Sequence, residues 1–290
     1  MATSTNTWAA LALLTNALAW GLAWWPFREL EKLGLHPLWA TSIMYGLAVL
    51  IVWTWRPHAW RGLVAVPALW WIALGSGLTN VGFNWAVTIG DVVRVVLLFY
   101  MMPAWSILLA WLILDEKPTR RSLARVAIAL AGVALVLKTP DSPWPWPQSA
   151  ADWLALMGGF CFALNNAMLR KLREVPSEQR TFAMFLGGAL FSALVGSVGT
   201  WQGNWSAPPM LGGWGLTLLV GFAAFFLLSN LALQYGAARL KASTTSLVML
   251  NEILIATASS VLLGASQLST RIVMGGLLII AAALWAAVDE

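Results

Sequence analysis

Long apolar blocks alternate with short polar breaks along this chain, and each block has roughly the length needed to cross a bilayer. Ten can be delimited, at 8–27, 37–55, 67–89, 92–114, 123–138, 150–170, 180–200, 213–236, 242–263 and 271–288. A membrane helix needs about 20 mostly apolar residues. The pattern therefore predicts an all-α integral membrane protein of ten transmembrane helices. The first block has no Lys or Arg before it and no small-residue cleavage site after it, so it reads as a retained helix and not a signal peptide.

The polar interruptions inside these blocks carry a second pattern. The segment Gly75 to Gly90 returns as Gly221 to Gly236, matching at Gly75/Gly221, Asn84/Asn230, Ala86/Ala232 and Gly90/Gly236. Internal duplication in a membrane chain is a signature of secondary transporters, with the substrate site between the repeats. Five spans per half is an odd number, so the second copy enters from the opposite side and the repeat is inverted around a central cavity. The expected organisation is a five-helix repeat over 1–138, a Pro/Trp-rich linker over 139–149 and a second five-helix repeat over 150–290. Four prolines interrupt the linker, Pro140, Pro143, Pro145 and Pro147, which rules out a continuing helix there.

Composition agrees with the pattern: 60% of residues are hydrophobic and 10% charged, against roughly a quarter charged in soluble domains. The net charge of +5 would suit a polyanion if the basic residues formed one patch, but they follow the loops. With the N-terminus inside, the inner loops hold most of the 17 Lys and Arg, including Arg120, Arg121, Arg170, Lys171 and Arg173. The outer loops keep only Arg28, Lys32, Arg94, Lys138 and Arg271. This is the positive-inside bias, with both termini cytoplasmic in a multi-pass plasma (inner) membrane protein; it calls for no nucleic acid. Many of the 20 Trp fall at helix ends, where an interfacial aromatic belt explains them. The lone Cys161 excludes an intramolecular disulfide.

Polar side chains at membrane depth concentrate in spans 1, 3, 4, 6, 8 and 9. Unpaired amides and hydroxyls are unfavourable in lipid by a few kcal/mol, so these spans should line the cavity. Spans 5 and 10 carry small residues (Ala131-Gly132, Gly275-Gly276) and read as scaffold or dimer helices. Asn16, Trp20 and Trp24 recur every four residues on one face of span 1, as Asn80 and Asn84 do in span 3. Their amides suit the ammonium and carboxylate of a zwitterion, while Trp20, Trp24, Phe83 and Tyr100 offer rings for stacking. Helix-to-helix bonding explains such asparagines equally well. Asn165 and Asn166 project about 100° apart, so at most one faces the cavity, and Asn230 should answer Asn84 across the repeat axis. Pro103 frees a carbonyl inside span 4, giving a gating kink or a static one. Glu252 is the only acid clearly inside a span. It reads as a proton-coupling carboxylate, a partner for a substrate ammonium, or a structural acid.

The residues Trp20-Gly21, Asn84-Trp85-Ala86, Asn230-Leu231-Ala232, and Pro103 followed by Asp115-Glu116-Lys117 resemble the drug/metabolite transporter superfamily, in its ten-helix, EamA-type form. The runs Trp20 to Arg28 and Asn80 to Pro103 are most similar to YddG-type exporters of aromatic amino acids. The second half departs from the pattern, with Asn251-Glu252-Ile253 where the family has a proline. The resemblance implies alternating access and outward movement of amino acids, by a monomer or homodimer in contact with lipid and needing no cofactor or metal. The alternative cargo is another small metabolite or a hydrophobic drug. Enzyme chemistry is not expected, because His36 and His58 lie in loops, no HExxH occurs, and no second acid accompanies Glu252 at depth.

Overall fold

The computed structural model describes residues 2–138, 146–237, 248 and 251–288. Among these the secondary structure is entirely helical. The helices are α1 (Ala2–Leu22), α2 (Trp24–Lys32), α3 (Pro37–Trp55), α4 (Arg61–Ala65), α5 (Leu69–Ile89), α6 (Val92–Phe99), α7 (Met102–Leu114), α8 (Arg120–Leu137), α9 (Ala150–Lys171), α10 (Ser177–Trp201), α11 (Gly213–Ala237), α12 (Asn251–Leu262) and α13 (Thr270–Val288). Each expected span has a helix within it. The linker stretch 139–145 and the Ser243-Thr244-Thr245-Ser246 cluster lie outside the described residues.

Five segments are both long and apolar enough to cross a membrane: Thr7–Lys32, Pro37–Trp55, Val92–Leu114, Ser177–Trp201 and Gly213–Ala232. α5 has the length, but it spends positions on Gly, Ser, Thr and Asn and is buried along most of its course. A helix shielded by protein on several sides has less need of lipid-compatible side chains. α5 is sandwiched between α9 and α10, and α3 also packs on α10. α1 rests on α11 and α12, and α8 pairs with α13. The halves therefore interleave.

Glycine sets the closest of these contacts. A Cβ on Gly82 would meet the Leu154 carbonyl oxygen at 2.6 Å, and one on Gly77 the Gly187 carbonyl oxygen at the same distance. On α8 and α13 the contact is reciprocal: a Cβ on Gly132 would lie 2.7 Å from the Gly275 oxygen, and one on Gly275 2.6 Å from the Gly132 oxygen. The small-residue stripes of spans 5 and 10 thus face each other within one chain. Of the repeated pair Gly75/Gly221, only Gly75 is needed for close approach: its Cβ would sit 3.0 Å from the Asn165 nitrogen, whereas Gly221 has nothing within 4 Å.

Span 4 is broken, but not by a kink around an embedded proline. α6 stops at Phe99, Tyr100 and Met101 turn, and Pro103 occupies the first turn of α7. There a missing N–H costs no helical bond, which is why proline fits that position. The Phe99 carbonyl four residues earlier has no N–H at Pro103 to accept from. Gly159 of α9 packs against it so closely that a Cβ would lie 2.5 Å from that oxygen.

Polar contacts fasten the weakly basic end of the bundle. Arg94 of α6 forks onto Asp152 at the start of α9, with Nε–Oδ1 at 2.7 Å and Nη2–Oδ2 at 2.9 Å, and also donates to the Val136 carbonyl of α8. Arg28 donates to the carbonyls of Val87 and Gly90, closing the C-terminus of α5. Trp55, Trp153 and Trp201 lie exposed near helix ends, where belt residues are expected.

At the same end His36 caps α3, its Nδ1 accepting from the Leu38 N–H, while its ring stacks on Trp205 at 4.1 Å. Burial lowers its pKa to about 4. An unfolded chain holds a proton there up to about pH 6.5, so its contribution is full above 6.5 and is lost as pH falls towards 4. The melting temperature in detergent should drop between pH 6.5 and 4.5, and His36→Asn, which keeps a cap acceptor, should flatten that drop. An unchanged drop in the variant would assign the pH effect elsewhere.

Candidate functional site

Where the halves interleave, aromatic rings form a continuous run. Trp20 is its centre: its ring lies 4.5 Å from Phe226 of α11 and 6.0 Å from Phe83 of α5, both edge to face. From Phe83 the run continues to Phe99 at 4.8 Å and Phe162 at 5.6 Å. From Phe226 it passes to Tyr45 at 6.1 Å and on to Phe185 at 5.7 Å. Trp20 is partly buried and borders two of the hydrophobic clusters. The four-residue spacing read in span 1 is what points Trp20 and Trp24 to the same side, since α1 and α2 are separated only by Ala23, which keeps helical dihedrals.

Polar groups fringe this run. Trp24 is buried and its indole N–H donates to Ser259 Oγ of α12 at 3.1 Å. Asn84 donates to Thr41 Oγ1 at 2.9 Å and Asn80 Oδ1 at 3.4 Å, while Asn80 donates to the Ser76 carbonyl. Asn16 donates to the carbonyl and hydroxyl of Ser229. The buried Oδ1 atoms of Asn16, Asn84 and Asn165 accept nothing from the protein.

Tyr100 and Glu252 meet across the halves. Tyr100, in the break between α6 and α7, donates its hydroxyl to Glu252 Oε2 at 3.1 Å, and both residues are buried. Gly21 of α1 makes room beside them, since a Cβ there would lie 3.0 Å from the Glu252 carbonyl oxygen. Trp20, Trp24 and Tyr100 thus border one hydrophobic cluster, with Glu252 bonded to Tyr100, while Asn80 and Asn84 bond to each other on the helix that carries Phe83, and Pro103 follows just beyond Tyr100.

Three sequence candidates fall differently. Asn165 is buried against Gly75 of α5, whereas Asn166 is exposed and does not join the interior cluster, because the 100° step turns it outwards. Asn230 donates back to the Phe226 carbonyl of its own helix and is bonded separately from Asn84. Tyr45, Phe226 and Phe99 are central here but do not stand out in the sequence, since aromatic residues in apolar blocks look like lipid-facing or core positions. Among the described residues no His, Cys, Asp and Glu cluster could hold a metal ion.

Residues 7–138 and 149–288 each match the EamA-like transporter family, which covers nearly the whole chain. The chain belongs to the EamA-like transporter family. The uncharacterized transporter PA0485 of Pseudomonas aeruginosa is 26% identical over 54% of this chain and 53% of its own length. The uncharacterized transporter YojE of Bacillus subtilis is 28% identical over 77% of this chain and 74% of its own. The chain thus spans about half the length of the first relative and three quarters of the second. A solved crystal structure shares the fold, with a TM-score of 0.58 at 17% identity over 97% of this chain and 96% of the other. EamA membership and several apolar helices make this a multi-pass membrane protein of a transporter family.

Proposed function

We propose that this EamA protein is a secondary transporter that exports amino acids, aromatic ones above all, across the inner membrane by alternating access. The observation that carries the reading is the aromatic run centred on Trp20, drawn from both halves and fringed by amides and one acid. A flat aromatic side chain could replace protein rings in such a run, because offset and edge-to-face contacts are worth about 0.5–1.5 kcal/mol beyond the area buried. Asparagine amides on the helices that carry these rings offer oxygens that suit an ammonium group and N–H groups that suit a carboxylate. Tyr100 and Pro103, at the break between α6 and α7, form the element best placed to gate, since a broken helix can pivot without losing regular backbone bonds. Glu252 is the group through which a proton would couple.

The test is counterflow in proteoliposomes loaded with phenylalanine. Labelled Phe, Tyr and Trp should exchange and compete with one another, and leucine or lysine should compete weakly. Exchange of hydrophobic cations alone would overturn the amino acid reading in favour of drug export.

A further inference from the structure

The two helical faces that carry the candidate site end in a common cleft. On α1 and α2 the four-residue row Asn16, Trp20, Trp24 continues to Arg28, whose guanidinium carbon lies 5.4 Å from the Trp24 ring centre. On α5 the row Asn80, Asn84 continues to Thr88. Arg28 and Thr88 both line an open cleft of about 340 Å³, with Glu31, Lys32, Ile89 and Gly90.

The charges in this cleft are of both signs and are only partly used. Arg28 spends two N–H groups on the carbonyls of Val87 and Gly90, of the five a guanidinium owns. Lys32 gives one donor to Glu29 at 2.7 Å, of three. Glu31 interacts electrostatically with Arg28. The other nearby carboxylate, Asp91, accepts from the Arg94 N–H at 2.9 Å as the cap of α6. The cleft therefore offers spare donors for an anionic oxygen beside a carboxylate for a cation.

We infer that this cleft is a second binding site, an outer station that takes the ammonium and carboxylate head of an amino acid one step beyond the Trp20 centre. The identity of that ligand rests on the function proposed above; the chemistry of the cleft does not. A phosphatidylethanolamine headgroup offers a similar ammonium and anionic oxygen, so the test separates the two sources.

Ile89→Cys places a thiol on the cleft wall without touching its charges, and Cys161 is buried. In phosphatidylglycerol vesicles, phenylalanine should slow labelling of that thiol by an impermeant reagent, and phenethylamine or phenylpropionate alone should slow it far less. Adding Glu31→Gln or Lys32→Gln should raise the phenylalanine needed by about tenfold, the usual scale for losing one charged hydrogen bond. Protection unchanged by both substitutions would overturn the inference, as would slowing by phosphatidylethanolamine with none by phenylalanine. If wild-type protein exchanges phenylalanine but the thiol is not protected, the outer station falls and the transport reading stands. If the thiol is protected but nothing is exchanged, the reverse holds.

Discussion

Glu252→Gln should lower transport by about ten- to a hundredfold, the range expected when a charge-assisted contact is removed, while the protein still purifies folded. Glutamine keeps the shape of the side chain, and its amide oxygen can still accept from the Tyr100 hydroxyl, which stands 3.1 Å from Glu252 Oε2. What the variant lacks is the ability to carry a charge or take up a proton. Ionisable groups at membrane depth are costly to place and by default are functional. Tyr100→Phe removes the donor and leaves the acid, so it should reduce transport less and alter its pH profile. Counterflow measured from pH 5.5 to 8 checks both. Wild-type rates in Glu252→Gln at every pH would make the carboxylate a structural acid that fastens α12 to the break in span 4.

Gly187→Val should produce the largest loss of stability of any single substitution proposed for this protein. A Cβ on Gly187 would fall on the carbonyl group of Ala73 in α5, a backbone position that no rotamer change can clear. α10 would have to retreat from α5, opening the contact that also seats Tyr45 against Gly188. Overpacking of this kind costs about 3 kcal/mol at the upper end of its usual range. Thermal melting followed by fluorescence-detected size exclusion reads it directly. Gly221→Ala is the matched control: nothing lies within 4 Å of that position, and alanine gains up to about 1 kcal/mol of helix propensity. A Gly187→Val protein melting like wild type would overturn the close approach of α5 and α10.

Span positions were legible in the sequence because lipid demands length and apolarity, and the face of α1 was legible because the helical period orders Asn16, Trp20 and Trp24. Partnership was not. Nothing in a periodic pattern says that Tyr100 meets Glu252 across 152 positions, or that Asn16 is bonded to Ser229. Repetition does not carry packing with it either: Gly75 is buried against Asn165, whereas its repeat counterpart Gly221 is exposed. A proline in span 4 predicts a kink, gating or static, but periodicity does not say that a new helix starts at Met102 with that proline in its first turn. Adjacent asparagines looked equivalent in Asn165-Asn166, and only the packing of α9 on α5 decides which is inside.

The reciprocal glycine contact between α8 and α13 bears on how the molecule is made. α8 leaves the ribosome long before α13, and its small-residue stripe, shaped to accept a carbonyl from Gly275, has no partner until then. α5 waits likewise for α9 and α10, and α1 for α11 and α12. A nascent first half therefore sits in the membrane with its glycine surfaces unfilled. Closing these contacts therefore requires the second half of the chain, and a fragment ending before α9 would lack every one of them.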